Sequence, residues 1–199
     1  MGNREDLLAG ALRCIQEKGY AHTTARDIAN AAGTSLAAIG YHFGSKEKLL
    51  NEAMFAGFDS WGRTLAAAVA AAGTTEGDAI DRFGVVWDHL LDVVTAQPEL
   101  VAASFEGFPA TRHSPELRAQ LADGMEEGRR GLVAIMQGVD EDTLTEEQVR
   151  SLGSFYSALL SGVLAQWLVD PERAPSGRDL AVALRAVSGG PAPARRDAM

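Results

Sequence analysis

Apolar side chains recur at intervals of three and four residues along most of this chain, and no segment alternates apolar and polar residues as a half-buried strand does. The breaks in this pattern coincide with glycine, proline and short polar stretches, which typically separate helices. The pattern therefore predicts an all-α protein of about nine helices. They lie within residues 4–20, 24–32, 36–41, 45–72, 78–96, 98–106, 114–137, 146–169 and 178–187.

Two short helices near the amino terminus have clear start and stop signals. Thr24 is a predicted N-cap with Asp27 as its capping-box partner, and Ser35 and Ser45 are predicted caps of the next two helices. Gly33 stands where the turn between the short helices needs a residue with positive φ. A helix, a glycine-centred turn and a second helix form a helix-turn-helix, whose second helix enters the DNA major groove.

This segment resembles the DNA-binding region of the tetracycline-repressor (TetR) family of bacterial transcription regulators. The resemblance covers about 55 residues, from Arg4 into the long helix that follows Ser45. It departs from the family at Gly40, where the family often has an aromatic residue that contacts phosphate, whereas here the aromatic residue is Tyr41. The matching features are Glu17-Lys18-Gly19-Tyr20, Thr23-Thr24, Ile28-Ala29, Ala32-Gly33, Ser35, His42-Phe43 and Ser45-Lys46-Glu47.

The second helix of this motif has no Arg, Lys, Asn or Gln that could hydrogen-bond to base edges. Its predicted exposed positions offer apolar contact with thymine methyl groups and close approach through small residues, while Ile39 and Phe43 are expected to face the core. Arg26 is the candidate for reading a guanine, although it could equally be solvated or paired with a phosphate. The exposed positions are Leu36, Ala37, Ala38, Gly40 and Tyr41.

Phosphate contacts are expected from residues at the starts of the helices and from the polar end of the second short helix. Lys46 is the leading candidate, because the backbone N–H groups at a helix amino terminus also favour a phosphate. His42 has an equally reasonable structural role as a packed or hydrogen-bonded residue. The set comprises Thr24, Ser35, Tyr41, His42 and Lys46.

The composition is that of an ordinary soluble protein, with 46% hydrophobic and 23% charged residues among 199. No run approaches the roughly 18 consecutive apolar residues of a membrane span, and the first ten residues lack the apolar core of a signal peptide. The sequence thus predicts a cytoplasmic protein without a membrane partner. We expect a DNA-binding domain over residues 1–48, a larger helical domain over 49–188 and a disordered tail over 189–199.

The net charge of −9 is unusual for a protein expected to bind DNA, but it is unevenly distributed. Residues 1–50 carry six Lys and Arg against five Asp and Glu, whereas residues 51–199 carry twelve Arg against 22 Asp and Glu. The acidity therefore belongs to the larger domain, which phosphates would repel. The mildly basic amino-terminal part predicts modest non-specific affinity for DNA.

Aromatic residues from several helices of the larger domain could line a ligand cavity, or they could simply fill a core. The absence of Lys beyond residue 48 and the acidic balance favour a hydrophobic effector that is neutral or cationic. An anionic effector would require an arginine such as Arg129 to turn inward. The candidate ligand-binding residues are Trp61, Phe83, Trp87, Phe105 and Phe155.

Residues 146–169 have a broad apolar face, and small residues that permit close approach of another helix. The TetR resemblance implies that the last two helices of each chain form a four-helix interface in a homodimer. The alternative is that this face belongs to the core of a single chain. The candidate dimerisation residues are Leu152, Phe155, Leu159, Gly162, Val163 and Gln166.

Together these features predict a ligand-responsive regulator, more specifically a repressor that a small hydrophobic effector releases from a palindromic double-stranded operator. The sequence has no phosphate-binding loop, nucleophile elbow or Cys/His cluster, so we expect no catalytic residues, metal or cofactor. The alternative is an all-α small-molecule-binding protein or enzyme that uses the aromatic cavity.

Overall fold

The computed structural model describes residues 4–72, 78–110 and 115–189. These residues form nine α-helices and no strand, which confirms the prediction of an all-α protein. The predicted carboxy-terminal tail lies outside the described residues, apart from its first glycine. The helices are α1 (Arg4–Lys18), α2 (Ala25–Ala31), α3 (Leu36–Phe43), α4 (Lys46–Ala72), α5 (Ala79–Thr95), α6 (Pro98–Ala110), α7 (Pro115–Gln137), α8 (Glu146–Val169) and α9 (Gly177–Val187).

Apart from shifts of one or two residues at helix ends, two helices differ from the sequence prediction. The predicted end of the helix that begins at Pro98 is wrong, because α6 continues through Gly107, Phe108 and Pro109 to Ala110. Proline has no backbone N–H to donate to the preceding turn, and α6 ends one residue after Pro109. In α8, residues Val149–Gly153 form a π-helical turn between the Glu146–Gln148 and Ser154–Val169 segments.

Capping boxes determine where three of the later helices begin. The Asp78 carboxylate accepts hydrogen bonds from the backbone N–H groups of Ile80 at 2.8 Å and Asp81 at 2.9 Å. Thr145 and Ser176 form equivalent reciprocal caps before α8 and α9. Because each cap satisfies donors that a helix start would leave unpaired, these boundaries follow from local sequence.

The buried side chains form two clusters. The first cluster contains residues of α1, α2, α3 and the first half of α4, together with Leu100 of α6 and Leu121 of α7. The second cluster contains Leu65 of α4, Trp87 of α5 and residues of α6–α9. Since α4, α6 and α7 contribute to both clusters, they connect the amino-terminal helices to the rest of the protein.

Helix α9 packs closely on α5 because glycines stand where the two helices approach. A Cβ atom added at Gly177 would lie 2.1 Å from the Gly84 carbonyl oxygen and 2.7 Å from the Asp88 nitrogen. The Gly177 N–H donates to the Asp88 carboxylate at 2.7 Å. At the other end of α9, Arg185 pairs with Asp78 at 3.0 Å and Asp81 at 2.8 Å.

Helix α8 is the only helix of the described chain that is long and apolar enough to cross a membrane. Its most apolar 18-residue window has a mean hydropathy of 1.4, and only 22% of that window is buried within one chain. Length and hydropathy do not separate a membrane span from a helix covered by a partner protein. The low burial does show that one chain leaves much of α8 uncovered.

Replacing Gly177 by alanine should destabilise the protein, because the new methyl group would meet backbone atoms that cannot move aside. We expect a loss of about 2–3 kcal/mol in the free energy of unfolding, as for an overpacked core. Urea denaturation followed by circular dichroism measures this loss. Gly62→Ala in α4 is the matched control, since a Cβ at Gly62 meets no described atom within 4 Å; its stability should be unchanged or higher by up to about 1 kcal/mol.

Candidate nucleic-acid interface

Helix α2 begins at a complete capping box, as predicted. The Thr24 hydroxyl accepts a hydrogen bond from the Asp27 backbone N–H at 3.2 Å, and the Thr24 backbone N–H donates to the Asp27 carboxylate at 3.0 Å. Thr24 has the extended backbone of an N-cap, with φ −100° and ψ 159°. The predicted cap is therefore confirmed, and it ties the Thr24 side chain to its own helix.

The turn between α2 and α3 is also as predicted at its central residue. Gly33 has φ 63°, and the following Thr34 N–H donates to the Ala29 carbonyl at 2.9 Å. Ser45 caps α4 through a 3.1 Å bond from the Lys48 N–H. Ser35 occupies the predicted N-cap position of α3 with an extended backbone, but its hydroxyl makes no cap hydrogen bond to the described start of the helix. Ser35 is exposed, so its hydroxyl can reach an external acceptor.

Helix α3 divides into a buried side and an exposed side. Ile39 and Phe43 lie in the first cluster, which agrees with the prediction that they face the core. Leu36 is 51% exposed and Tyr41 is 86% exposed, so both project away from the protein. Ala37 and Gly40 lie on the same exposed side.

Two residues near this surface are more enclosed than the sequence indicated. Ala38 was expected to be exposed but packs, half-buried, against the first cluster, because it lies beside Ile39 at the edge of the core. His42 is half-buried, with its ring centroid 4.9 Å from that of Tyr41 in an edge-to-face arrangement. This contact gives His42 a packing role whether or not it also meets a phosphate.

The two basic residues proposed to contact DNA, Arg26 and Lys46, differ in how far their side chains are engaged within the protein. Arg26 is exposed at the second position of α2. Lys46, by contrast, donates to the Thr23 backbone carbonyl at 3.2 Å and lies 3.7 Å from the Glu47 carboxylate. A contact between Lys46 and a phosphate would therefore compete with these intramolecular partners.

Sequence reasoning missed the side chains that hold α2 against α1. Lys18 pairs with Asp27 at 2.6 Å, and the Arg13 guanidinium donates to the Ala31 carbonyl at 2.5 Å. A Cβ at Gly10 would lie 3.1 Å from Ala32, so the absence of a side chain there lets the two helices approach. The sequence did show Lys18 in the last turn of α1, but it could not show that Lys18 pairs with Asp27, nine residues further along the chain.

The Lys18 contact changes the chemistry of the capping carboxylate. The hydrogen bond from the Lys18 ammonium, assisted by those from the Thr24 hydroxyl and N–H, holds the pKa of Asp27 well below its ordinary value. The same pair raises the pKa of Lys18. Both groups are consequently charged at neutral pH, so the Asp27 carboxylate is fully ionised when it caps α2.

The five ligand candidates do not share one environment. Phe83 and Trp87 are buried in the second cluster, and Trp61 and Phe105 pack against it while partly buried. Phe155 is 43% exposed and contacts Tyr156 with a ring separation of 5.7 Å. Tyr156, which was not among these candidates, is itself buried and lies 6.3 Å from Phe83.

The dimerisation candidates likewise separate into buried and exposed residues. Val163 is only 3% exposed, so one chain already buries it beneath the surface of α8. Leu152 and Leu159 pack against the second cluster, because α8 turns this side toward α7. Phe155, Gly162 and Gln166 are exposed.

Residues spaced by three and four positions form an exposed stripe along α8 that we call the α8 face. Its members are apolar or small, and a Cβ added at Gly162 meets no atom of the described residues within 4 Å. Val169 at its end is 86% exposed. The α8 face consists of Phe155, Ala158, Gly162, Ala165 and Val169.

Comparison with known proteins finds two matching family models. Residues 7–53 match the bacterial regulatory proteins of the tetR family, and residues 81–190 match the tetracyclin repressor-like C-terminal domain. The second match alone covers more than half of the chain. The first match includes the whole helix-turn-helix and most of the first cluster, whose members Met54, Leu100, Ala103, Leu117 and Leu121 lie outside it.

Two curated relatives match the amino-terminal segment. The HTH-type transcriptional repressor AcnR of Corynebacterium efficiens is 47% identical over 49 residues, which are 25% of this chain and 26% of that protein. The HTH-type transcriptional repressor KstR2 of Rhodococcus jostii is 43% identical over 51 residues, 26% of this chain and 25% of that one. The chain thus spans about a quarter of the length of these relatives.

Solved structures match nearly the whole chain. A TetR transcription regulator from Haloarcula marismortui has a TM-score of 0.58 at 22% identity and covers 94% of each chain. The multidrug binding protein EbrR, in complex with imidazole, has a TM-score of 0.60 at 24% identity and covers 98% of each chain. At these identities the likeness establishes the fold.

Replacing Lys18 by methionine should raise the pKa of Asp27 toward its ordinary value near 3.8, because the largest cause of its lowering is removed. The Thr24 hydrogen bonds should keep it partly lowered. A carboxyl-carbon NMR titration of Asp27 measures the change, and Lys48→Met is the control that should leave it unaltered. An unchanged Asp27 titration in Lys18→Met would contradict this assignment.

The direction of the pH effect on stability follows from the same shift. Because the pKa of Asp27 is lower in the folded than in the unfolded protein, its contribution is complete above the ordinary carboxyl pKa and is lost as the pH falls through the folded value. The difference in unfolding free energy between wild type and Asp27→Asn should therefore narrow as the pH falls below about 4.

Proposed function

The chain belongs to the tetR family of bacterial regulatory proteins, and we propose that it is a repressor which binds a palindromic operator as a homodimer and is released by a small hydrophobic effector. As a member of this family it is a DNA-binding transcriptional regulator, not an enzyme. That AcnR and KstR2 are repressors supports repression as the outcome. A regulator acts where its DNA is, so we expect the protein in the cytoplasm.

The observation that carries this proposal is the exposed side of α3. Leu36 and Tyr41 project outward while Ile39 and Phe43 fasten the helix to the first cluster. A short helix held on one side by a core and exposed on the other has the shape required to enter a major groove. A gel shift with the region upstream of the protein's own gene tests this proposal, and failure to bind that DNA or any other would contradict it.

Base recognition by α3 would be mainly apolar. Leu36 and Ala37 can contact thymine methyl groups, and exposed Gly40 allows close approach of the backbone. Hydrogen-bonded discrimination would then come from Arg26, which reaches out from α2. Phosphate contacts are assigned to Thr24, Ser35, Tyr41, His42 and Lys46, with Ala38 at the margin of the surface.

Dimerisation is assigned to the α8 face with Gln166 beside it. The exposed small residues allow a second helix to approach closely, and an apolar stripe of this length would be costly to leave in water. Covering α8 with a second copy also accounts for its high hydropathy without a membrane. The α8 face would be held in place by the side chains that α8 packs into the same chain, namely Leu152, Leu159 and Val163.

Helix α6 offers a physical connection between effector and DNA. Leu100 and Ala103 are buried in the first cluster, whereas Val101 is buried in the second and Phe105 packs against it. A ligand that changes the packing around the second cluster would therefore displace α6 and, with it, the helices α1 and α4. Such a shift would favour a dimer whose two α3 helices no longer fit successive grooves.

Variants that each remove one positive charge distinguish contacts with bases from contacts with phosphates. Arg26→Ala should weaken operator binding by roughly 1–3 kcal/mol while changing random-DNA binding little, if it pairs with a guanine. Lys46→Ala should weaken both and reduce the salt slope by about one. Fluorescence anisotropy over a salt series measures both effects, with Arg63→Ala in α4, outside the motif, as the control. If Arg26→Ala instead lowered the affinity for operator and random DNA equally, Arg26 would contact a phosphate and not a base.

Gly162→Trp should convert the dimer to monomers, because an indole on the α8 face would hold the partner helix away. Multi-angle light scattering should then give a mass near the 21.0 kDa of one chain instead of twice that value. Gly128→Trp on α7 is the control, since that exposed glycine also has open space among the described residues. A Gly162→Trp protein that stays dimeric would exclude this interface.

A further inference from the structure

Three buried N–H groups in the larger part of the chain have no hydrogen-bond acceptor among the described residues. They are Nε1 of Trp61 on α4, Nε1 of Trp87 on α5 and Nε of Arg129 on α7. A buried donor without an acceptor costs about 1–3 kcal/mol, and folded proteins contain few of them. Three such donors on three helices require an explanation.

Trp87 is fully buried within the second cluster, and Trp61 packs against both the first and the second cluster. Arg129 lies where α7 meets the π-helical turn of α8, since a Cβ at Gly153 would be 2.9 Å from the Arg129 Cβ. Leu132, one turn along α7 from Arg129, packs against the same cluster.

The register of α4 and α7 places Trp61 and Arg129 at a similar level. The two helices meet where the Phe55 ring covers Gly124, at which a Cβ would lie 2.7 Å from that ring. Both helices run from this point toward the second cluster. Trp61 is six residues beyond Phe55 and Arg129 is five beyond Gly124, so at 1.5 Å per residue they lie about 9 and 7.5 Å past the contact.

The chemistry of the donors restricts what can satisfy them. An indole N–H and a guanidinium N–H only donate hydrogen bonds, so their complement is an acceptor oxygen. A cationic group such as an ammonium would bring further donors and no acceptor. Glu126 pairs with a terminal nitrogen of Arg129, which balances its charge without reaching Nε.

We propose that the effector is an apolar molecule bearing a carbonyl or carboxylate oxygen, which accepts hydrogen bonds from Trp61, Trp87 and Arg129. This inference rests on the proposed function for the existence of an effector. The effector proposed here keeps the hydrophobic body expected from the sequence, but it carries a hydrogen-bond acceptor in place of a cationic group. The buried Nε–H of Arg129 can donate to such an oxygen whether the effector is neutral or anionic.

Four naphthalene probes of similar shape test the inference on the protein alone. They are naphthalene, 2-acetylnaphthalene, 2-naphthoate and 2-naphthylmethylammonium, titrated by calorimetry. At least one of the two oxygen-bearing probes should bind tenfold or more tightly than both the parent and the ammonium compound. The ratio between ketone and carboxylate distinguishes a neutral from an anionic acceptor.

Indole NMR signals locate the binding. The ¹H–¹⁵N signals of Trp61 and Trp87 should move downfield with the oxygen-bearing probe as their N–H groups gain an acceptor, and by more than the signal of Trp167, which packs against the same cluster but is not one of the unpaired donors. Trp87→Phe and Arg129→Met should each reduce the affinity for that probe about tenfold and leave naphthalene binding unchanged. Arg130→Met, which removes the neighbouring arginine and its pair with Glu146, is the matched control.

Several results would overturn the inference. These are equal or tighter binding of the ammonium probe, binding of no probe up to its solubility limit, equal shifts at Trp167, or equal losses from Arg129→Met and Arg130→Met. Urea denaturation of each variant shows whether it is folded.

Operator binding is measured separately, so that the two proposals fail in distinguishable ways. Acceptor-selective binding without release of DNA would leave the site in place and contradict only the regulatory coupling. Release of the operator by a ligand that lacks an acceptor oxygen would overturn the site and leave the regulator intact.

Discussion

The contact of Leu100 with Gly57 is the constraint on which the arrangement of the protein depends. A Cβ at Gly57 would lie 2.8 Å from the Leu100 side chain and 3.1 Å from that of Leu12. The missing side chain thus allows α1, α4 and α6 to meet at one point. Because Leu100 is fully buried there, the start of α6 cannot move without disturbing the helices that carry the DNA-binding surface.

This constraint explains how a small amino-terminal unit is held in place. Gln16 of α1 donates to Gln97 at 2.6 Å just before α6, and Tyr20 donates to Asn51 of α4 at 2.7 Å. These polar contacts surround the apolar junction and restrict sliding between the helices. The exposed side of α3 is consequently presented by a rigid support, which suits recognition by shape and apolar contact.

The larger half of the chain combines tight and loose packing. Glycines bring α9 onto α5 and α8 onto α7, whereas the α8 face is uncovered and three buried donors have no acceptor among the described residues. Close glycine contacts stabilise the frame through packing, while uncovered apolar surface and unpaired donors favour association with something outside the chain. The same half can therefore carry both a partner interface and a ligand site.

Local interactions made much of the fold predictable from the sequence. Helix starts depend on caps within three residues, such as Thr24 with Asp27, and the turn at Gly33 depends on one backbone angle. Periodicity likewise identified Ile39 and Phe43 as the buried side of α3. These features need no knowledge of distant residues, so the helix-turn-helix and its family resemblance could be recognised from the chain alone.

Contacts between distant residues decided the rest. Lys46 donates to the Thr23 carbonyl, Val163 lies inside one chain, and the Arg129 Nε is buried without an acceptor among the described residues. A helical pattern cannot distinguish a face that meets its own chain from one that meets a partner, because both are apolar. Nor can it show where a long basic side chain ends, since that depends on which acceptor the tertiary structure brings within reach.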